Sequence, residues 1–117
     1  VKGGLVITHV DEALIAQRML PINRVNAGPT PGLQVVEADG DYDLYFGRNH
    51  GDTGDPFPGN LSVTSFDDET SPNTRTFKNA VTNIGLSGIT QVGNDVDVTL
   101  RVRAPGWLPV SPSIRPP

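Results

Sequence analysis

Apolar residues in this chain come in short runs broken by glycine, proline and acidic turns, not in long helical stripes. The first run, Leu5-Val6-Ile7-Thr8-His9-Val10, is rich in β-branched residues and is entered through Gly3-Gly4, which predicts a buried strand. Asp11 stands where a helix N-cap belongs. Glu12 to Leu20 holds residues that a helix accepts, so a short helix is predicted there, stopped at Pro21. Asn23 to Pro31 includes Asn-Ala-Gly-Pro-Thr-Pro and reads as loop. Gly32 to Ala38 is the second predicted strand. An acidic turn follows, then the apolar triplet Leu44-Tyr45-Phe46, then a loop from Gly47 to Gly59 rich in glycine and aspartate. Loops of that length inside a small domain are commonly functional or organised by an ion. Leu61 to Phe66 alternates as a short strand would, and Asp67 to Asn79 is polar and irregular.

The C-terminal half has the clearest pattern. Gly85 to Val92 reads as a strand, Gly93-Asn94 as a hairpin turn, and Asp95 to Arg103 as the returning strand. In the latter, Val96, Val98, Leu100 and Val102 alternate with Asp97, Thr99, Arg101 and Arg103, the signature of an antiparallel strand with one wet face. Residues 104–117 carry five prolines and read as an extended tail or linker, leaving 1–103 as the folded part. The expected fold is mainly β: an antiparallel sheet or small sandwich, one short helix and a long acidic loop.

With 117 residues the chain is one domain at most, long enough to bury a core without a staple. Thirteen glycines and eleven prolines favour short strands and tight turns over long helices. The net charge of −4 and scattered basic residues argue against a nucleic-acid partner, and no apolar run is long enough to span a membrane. Absence of cysteine excludes thiol catalysis, zinc–thiolate sites and disulfides. The start at Val1, without an initiator methionine, reads as a piece excised from a longer protein.

The chemistry concentrates in the acidic stretch. Asp39, Asp41 and Asp43 recur at alternate positions, and Asp52 and Asp55 follow among glycines. Carboxylates gathered in a turn repel one another unless a cation joins them, and Ca²⁺ takes six to eight such oxygens. The first three aspartates mimic positions 1, 3 and 5 of an EF-hand, but Leu44 and His50 stand where its glycine and bidentate glutamate would be. An irregular calcium site on Asp39, Asp41, Asp43, Asp52 and Asp55 is one reading; aspartates bonding their own turns is the other. Zinc hydrolysis has less to work with. The only histidines, His9 and His50, are far apart and lie in no His-x-x-x-His helix. No nucleophile elbow or phosphate loop is present. Asn60-Leu61-Ser62 matches a glycosylation sequon, informative only in a eukaryotic secretory setting.

Several segments together resemble the M6 family, the immune-inhibitor-A-like metallopeptidases. Gly4-Leu5-Val6-Ile7-Thr8-His9-Val10-Asp11-Glu12 is similar to a strand of that family. Val35-Val36-Glu37-Ala38-Asp39-Gly40, Gly51-Asp52-Thr53-Gly54-Asp55-Pro56-Phe57-Pro58-Gly59, Thr70-Ser71-Pro72-Asn73 and Ser87-Gly88-Ile89 follow in the family's order. The resemblance covers the region C-terminal to the family's zinc-binding HExxH helix, and no position here matches a zinc ligand or the catalytic glutamate. It implies a non-catalytic part of a secreted zinc metalloprotease that completes and stabilises the peptidase fold, with structural calcium and with zinc only in the parent. The implied partner is the rest of that chain, and a homodimer through exposed strand edges is the other association expected. Two rival readings are a free-standing β-sandwich module recognising carbohydrate or protein, and a metal-dependent hydrolase using His9 and His50.

Overall fold

The computed structural model describes residues 3–102. The predicted first strand forms as β1, Ile7–Val10, and pairs antiparallel with β2, Leu33–Val36, with Ile7 opposite Val36 and Val10 opposite Leu33. Leu5 continues the line by exchanging both backbone hydrogen bonds with Phe57, each 2.8 Å. Asp11 caps α1, Glu12–Arg18, as its sequence position predicts: its Oδ1 accepts from the Leu14 N–H at 3.0 Å. The helix ends at Arg18, short of the expected Leu20. Arg18 donates to the carbonyls of Thr30 (2.7 Å) and Val25 (3.3 Å), tying the following loop to the helix end. No residue of α1 is buried, so the helix connects strands and does not build the core.

The second sheet is the predicted hairpin. β3, Ile84–Val92, pairs antiparallel with β4, Asp95–Val102. Its register shifts between Ser87 and Thr90, where Gly88 adopts φ 61°. A left-handed glycine at this point makes a β-bulge, and the extra residue changes which face the next side chain meets. Ile89 and Leu86, three positions apart, would face opposite sides of a regular strand. With the bulge, Ile89 is fully buried and Leu86 packs against the same core.

That core is small. Phe57 and Ile89 are wholly buried, Ala38 and Phe66 nearly so, and Leu5, Ile7, Val36, Val63, Leu86 and Val96 pack around them. The Phe57 and Phe66 rings lie 5.4 Å apart at a tilt of 56°, adding an aromatic contact to the area buried. Between them the two sheets and the intervening loops bury one shared centre. Leu61 to Phe66, expected as a strand, contributes only the bridge between Phe66 and Leu86; Ser62 has φ 55°, which an extended strand does not allow. Asp67 to Asn83 is irregular and is held by Asp68. Its carboxylate accepts from the Thr82 and Asn83 N–H groups and from the Thr74 and Thr82 hydroxyls, at 2.8–3.2 Å. These donors, the Thr82 N–H foremost, hold its pKa below the ordinary value. The proline-rich tail lies outside the described residues.

Candidate metal centre

The acidic centre forms where three chain segments meet. Ala38 N–H donates to Asp55 O (2.9 Å) and Asp39 N–H to Gly54 O (3.0 Å), so the loop around Asp55 runs beside the end of β2 as an informal third strand. Phe57, anchored in the core and bonded to Leu5, fixes the loop from its other end. This framework gathers Glu37, Asp39 and Asp55, whose nearest carboxylate oxygens all lie within 4.8 Å of one another.

Each of the three carboxylates has one oxygen held by a backbone amide. Glu37 Oε1 accepts from Leu44 N–H at 3.3 Å, Asp39 Oδ1 from Asp41 N–H at 3.0 Å, and Asp55 Oδ2 from Asp52 N–H at 2.7 Å. Glu37 is 3% exposed and Asp55 8%, and Glu37 Oε2 and Asp55 Oδ1 are buried with no hydrogen-bond partner. Buried polar atoms are almost always paired, so two orphaned oxygens in one acidic cluster call for a proton shared between Glu37 and Asp55 or for a cation. Gly54 packs against its neighbour: a Cβ there would meet the Asp39 carboxylate, which would have to move.

The electrostatics agree. Burial pushes the Glu37 carboxyl above its ordinary value, against the pull of the Leu44 amide, and the charge of Asp55 pushes it further. Asp39 is also raised, by burial first and then by the charges of Asp41, Asp52 and Asp55. Two like charges at about 5 Å cost on the order of 3 kcal/mol at an effective dielectric of about 20. A proton or a cation relieves that cost. The donor set is oxygen only. It fits a hard divalent ion such as Ca²⁺ or Mg²⁺ and gives no imidazole or thiolate for zinc or copper.

Of the aspartates singled out in the sequence, Asp39 and Asp55 stand in this cluster. Asp41, Asp43 and Asp52 do not. Asp43 is met by Arg48 and Asn49, each at 3.3 Å. Asp52 accepts from Gly54 N–H at 2.8 Å and Asn49 Nδ2 at 3.1 Å, and Asp41 is exposed. Glu37, the third member of the cluster, was not singled out in the sequence. Its signal was an acidic residue closing the apolar run Leu33 to Val36, immediately before a small residue that the core buries. Neither histidine belongs to a ligand group among the described residues: His9 stacks on Phe77, ring centroids 4.1 Å apart and 4° from parallel, and His50 is exposed. No helix among the described residues is long and apolar enough to cross a membrane. No family model matches the chain, and neither a curated protein nor a solved structure matches it.

Proposed function

We propose that the chain is a non-catalytic β domain stabilised by a divalent cation, calcium by its oxygen donors, and that it forms the part of a secreted M6-like zinc metalloprotease C-terminal to the zinc-binding helix. The observation that carries the cation is the pair of orphaned buried oxygens, Glu37 Oε2 and Asp55 Oδ1, in a cluster that also holds Asp39. The peptidase context rests on the ordered motifs. Three of them, Gly4–Glu12, Val35–Gly40 and Gly51–Gly59, are the segments that meet to build the acidic centre. In this role the ion does no chemistry on a substrate. It offsets two of the three carboxylate charges and joins Glu37 and Asp39 to Asp55 on a separate loop.

Melting the EDTA-stripped protein at neutral pH with and without Ca²⁺ tests the cation. At a ligand concentration one hundred times its dissociation constant, stabilisation is about 2.7 kcal/mol, a rise of roughly 10 °C for a domain of this size. No shift with Ca²⁺ or Mg²⁺ defeats the cation reading. Cleavage of a fluorogenic peptide by the purified, zinc-loaded chain defeats the non-catalytic reading separately.

A second reading, a surface-binding module, has one observation on its side. Tyr42, Tyr45 and Phe46 are exposed on the acidic loop, Tyr45 edge-on to Phe46 at 5.0 Å with the Arg48 guanidinium 4.7 Å over the Phe46 ring. Retention on an immobilised polysaccharide, lost on Tyr45→Ala and Phe46→Ala, would favour it.

A further inference from the structure

β4 is the outer strand of its sheet, paired with β3 alone among the described residues. Leu86 of β3 exchanges both backbone bonds with Phe66, on the side away from β4. Leu100, opposite Leu86, therefore turns its own N–H and C=O away from β3, and alternation gives Val96, Val98 and Val102 the same orientation. Among the described residues the result is a long unpaired edge. Leu100 is 63% exposed and Val102 60%, and β4 has neither a proline nor a lysine to blunt it.

The order of residues along this edge is complementary to itself. Reversed about Thr99, β4 sets Val98 opposite Leu100 and Val96 opposite Val102, with the outward amides of each pair meeting. The same reversal sets Asp97 opposite Arg101. Both charged residues are exposed, and neither is in an ion pair among the described residues. On their own sheet they face Thr90 and Gly85, and Arg101 borders a cleft with Asp67, Asp68 and Glu69 without forming an ion pair to them. Moving the centre by one residue to Val98 or Leu100 keeps the amide phase but loses the match of Asp97 with Arg101. The Val98 register sets Asp95 opposite Arg101 instead, but at the first residue of the strand beside the turn, so the register about Thr99 is the one whose charged partners both lie inside the strand.

We propose that β4 is an association surface for a second copy of this chain, joined antiparallel about a two-fold axis through Thr99. The two hairpins become a continuous four-stranded sheet, with about eight new backbone hydrogen bonds in alternating narrow and wide pairs. Val98, Leu100 and Val102 are covered by their symmetry mates, and two Asp97–Arg101 pairs cross the axis. The contact is isologous, so it closes at two copies and leaves no free strand edge on β4 to propagate.

The test uses the natural absence of cysteine. In the proposed dimer the two Thr99 residues face each other as a wide pair, with Cα atoms about 4.5 Å apart, inside the range a disulfide spans. Thr99→Cys in a glutathione redox buffer is expected to form a covalent dimer. Thr90→Cys, also exposed but on β3, the strand away from that edge, is expected to stay monomeric. Sedimentation of the unmodified chain should show dimer growing between ~10 μM and ~1 mM, the range expected of a small interface. Asp97→Arg and Arg101→Asp should each weaken association about tenfold, and the double exchange should restore it. Far-ultraviolet circular dichroism confirms that each variant folds. A monomer throughout that concentration range, equal crosslinking at positions 99 and 90, or failure of the double exchange to restore association overturns the proposal. A monomer would leave the edge to a strand of a longer chain.

Discussion

Replacing Asp55 by asparagine separates the two things its carboxylate does. In the cation-free protein, Asp55 faces Glu37 and Asp39 at no more than 4.8 Å. Each fully charged pair at that distance costs on the order of 3 kcal/mol at an effective dielectric of about 20. The raised Glu37 carboxyl already takes up part of that cost by holding a proton more tightly, so the relief available is smaller, about 1–3 kcal/mol. The amide also supplies what the cluster lacks. Its oxygen can still accept from Asp52 N–H, while its nitrogen donates toward the orphaned oxygen of Glu37. Asp55→Asn is therefore expected to melt higher than the unmodified protein in EDTA, by roughly 5–10 °C. It should also lose most of the rise on adding Ca²⁺, because a neutral amide oxygen is a poorer ligand and one of three charges is gone. Thermal melts followed by circular dichroism at pH 7.5, in EDTA and in Ca²⁺, measure both effects. If Asp55→Asn melts below the unmodified protein in EDTA and still responds fully to Ca²⁺, the carboxylates are not in conflict and the metal centre is misread.

The pH dependence follows from the same groups. Glu37 and Asp39 have pKa values raised above their ordinary 4.5 and 3.8, so without a cation the folded state binds their protons more tightly than the unfolded chain does. Their contribution to stability then improves as pH falls from neutral through the raised folded values and levels off below the unfolded ones. With Ca²⁺ bound the carboxylates stay ionised, so the calcium-induced rise in melting temperature should be largest at neutral pH and vanish on approach to pH ~4. Asp68 acts in a different window: its pKa is lowered, so its contribution is present above its unfolded value of 3.8 and is lost as pH falls through the folded one. Asp68→Asn removes an acceptor charge from four donors and should cost about 1–2 kcal/mol at pH 7, read from urea melts. Gly54→Ala must displace the Asp39 carboxylate, and calorimetry should show calcium binding weakened at least tenfold in a variant that still folds. Phe57→Ala empties the centre of the core and is expected to cost about 3–5 kcal/mol by denaturant unfolding.

Much of the fold was legible because local signals and tertiary packing agree. The alternation from Asp95 to Val102 and the Gly93-Asn94 turn placed the hairpin, and Asp11 marked the start of the helix. Leu61 to Phe66 misled because alternation over so few residues is weak evidence, and the tertiary structure uses only Phe66, as an anchor against Leu86. The bulge at Gly88 was invisible because its purpose, aiming Ile89 inward, is set by the distant Phe66 segment. The site was half legible. Asp39 and Asp55 announced themselves by clustering with other acids in turns. Glu37 did not, because its place is set by backbone pairing with a loop on the far side of the intervening aromatic segment.

The four residues at the centre of the core, Ala38, Phe57, Phe66 and Ile89, come from four separated stretches of chain, and the helix contributes none of its own. No local unit can therefore bury apolar surface early. The β3–β4 hairpin has a tight turn and can close on a microsecond scale, but β1 and β2 must meet across everything from Val10 to Leu33, and Leu5 must find Phe57. Refolding should accordingly be slow for a domain of this length, in milliseconds to seconds, as non-local pairing usually is. For that interval the hairpin exists with its outer edge bare before the core has closed behind it. The refolding yield should then fall as protein concentration rises, even under conditions where the finished domain is stable.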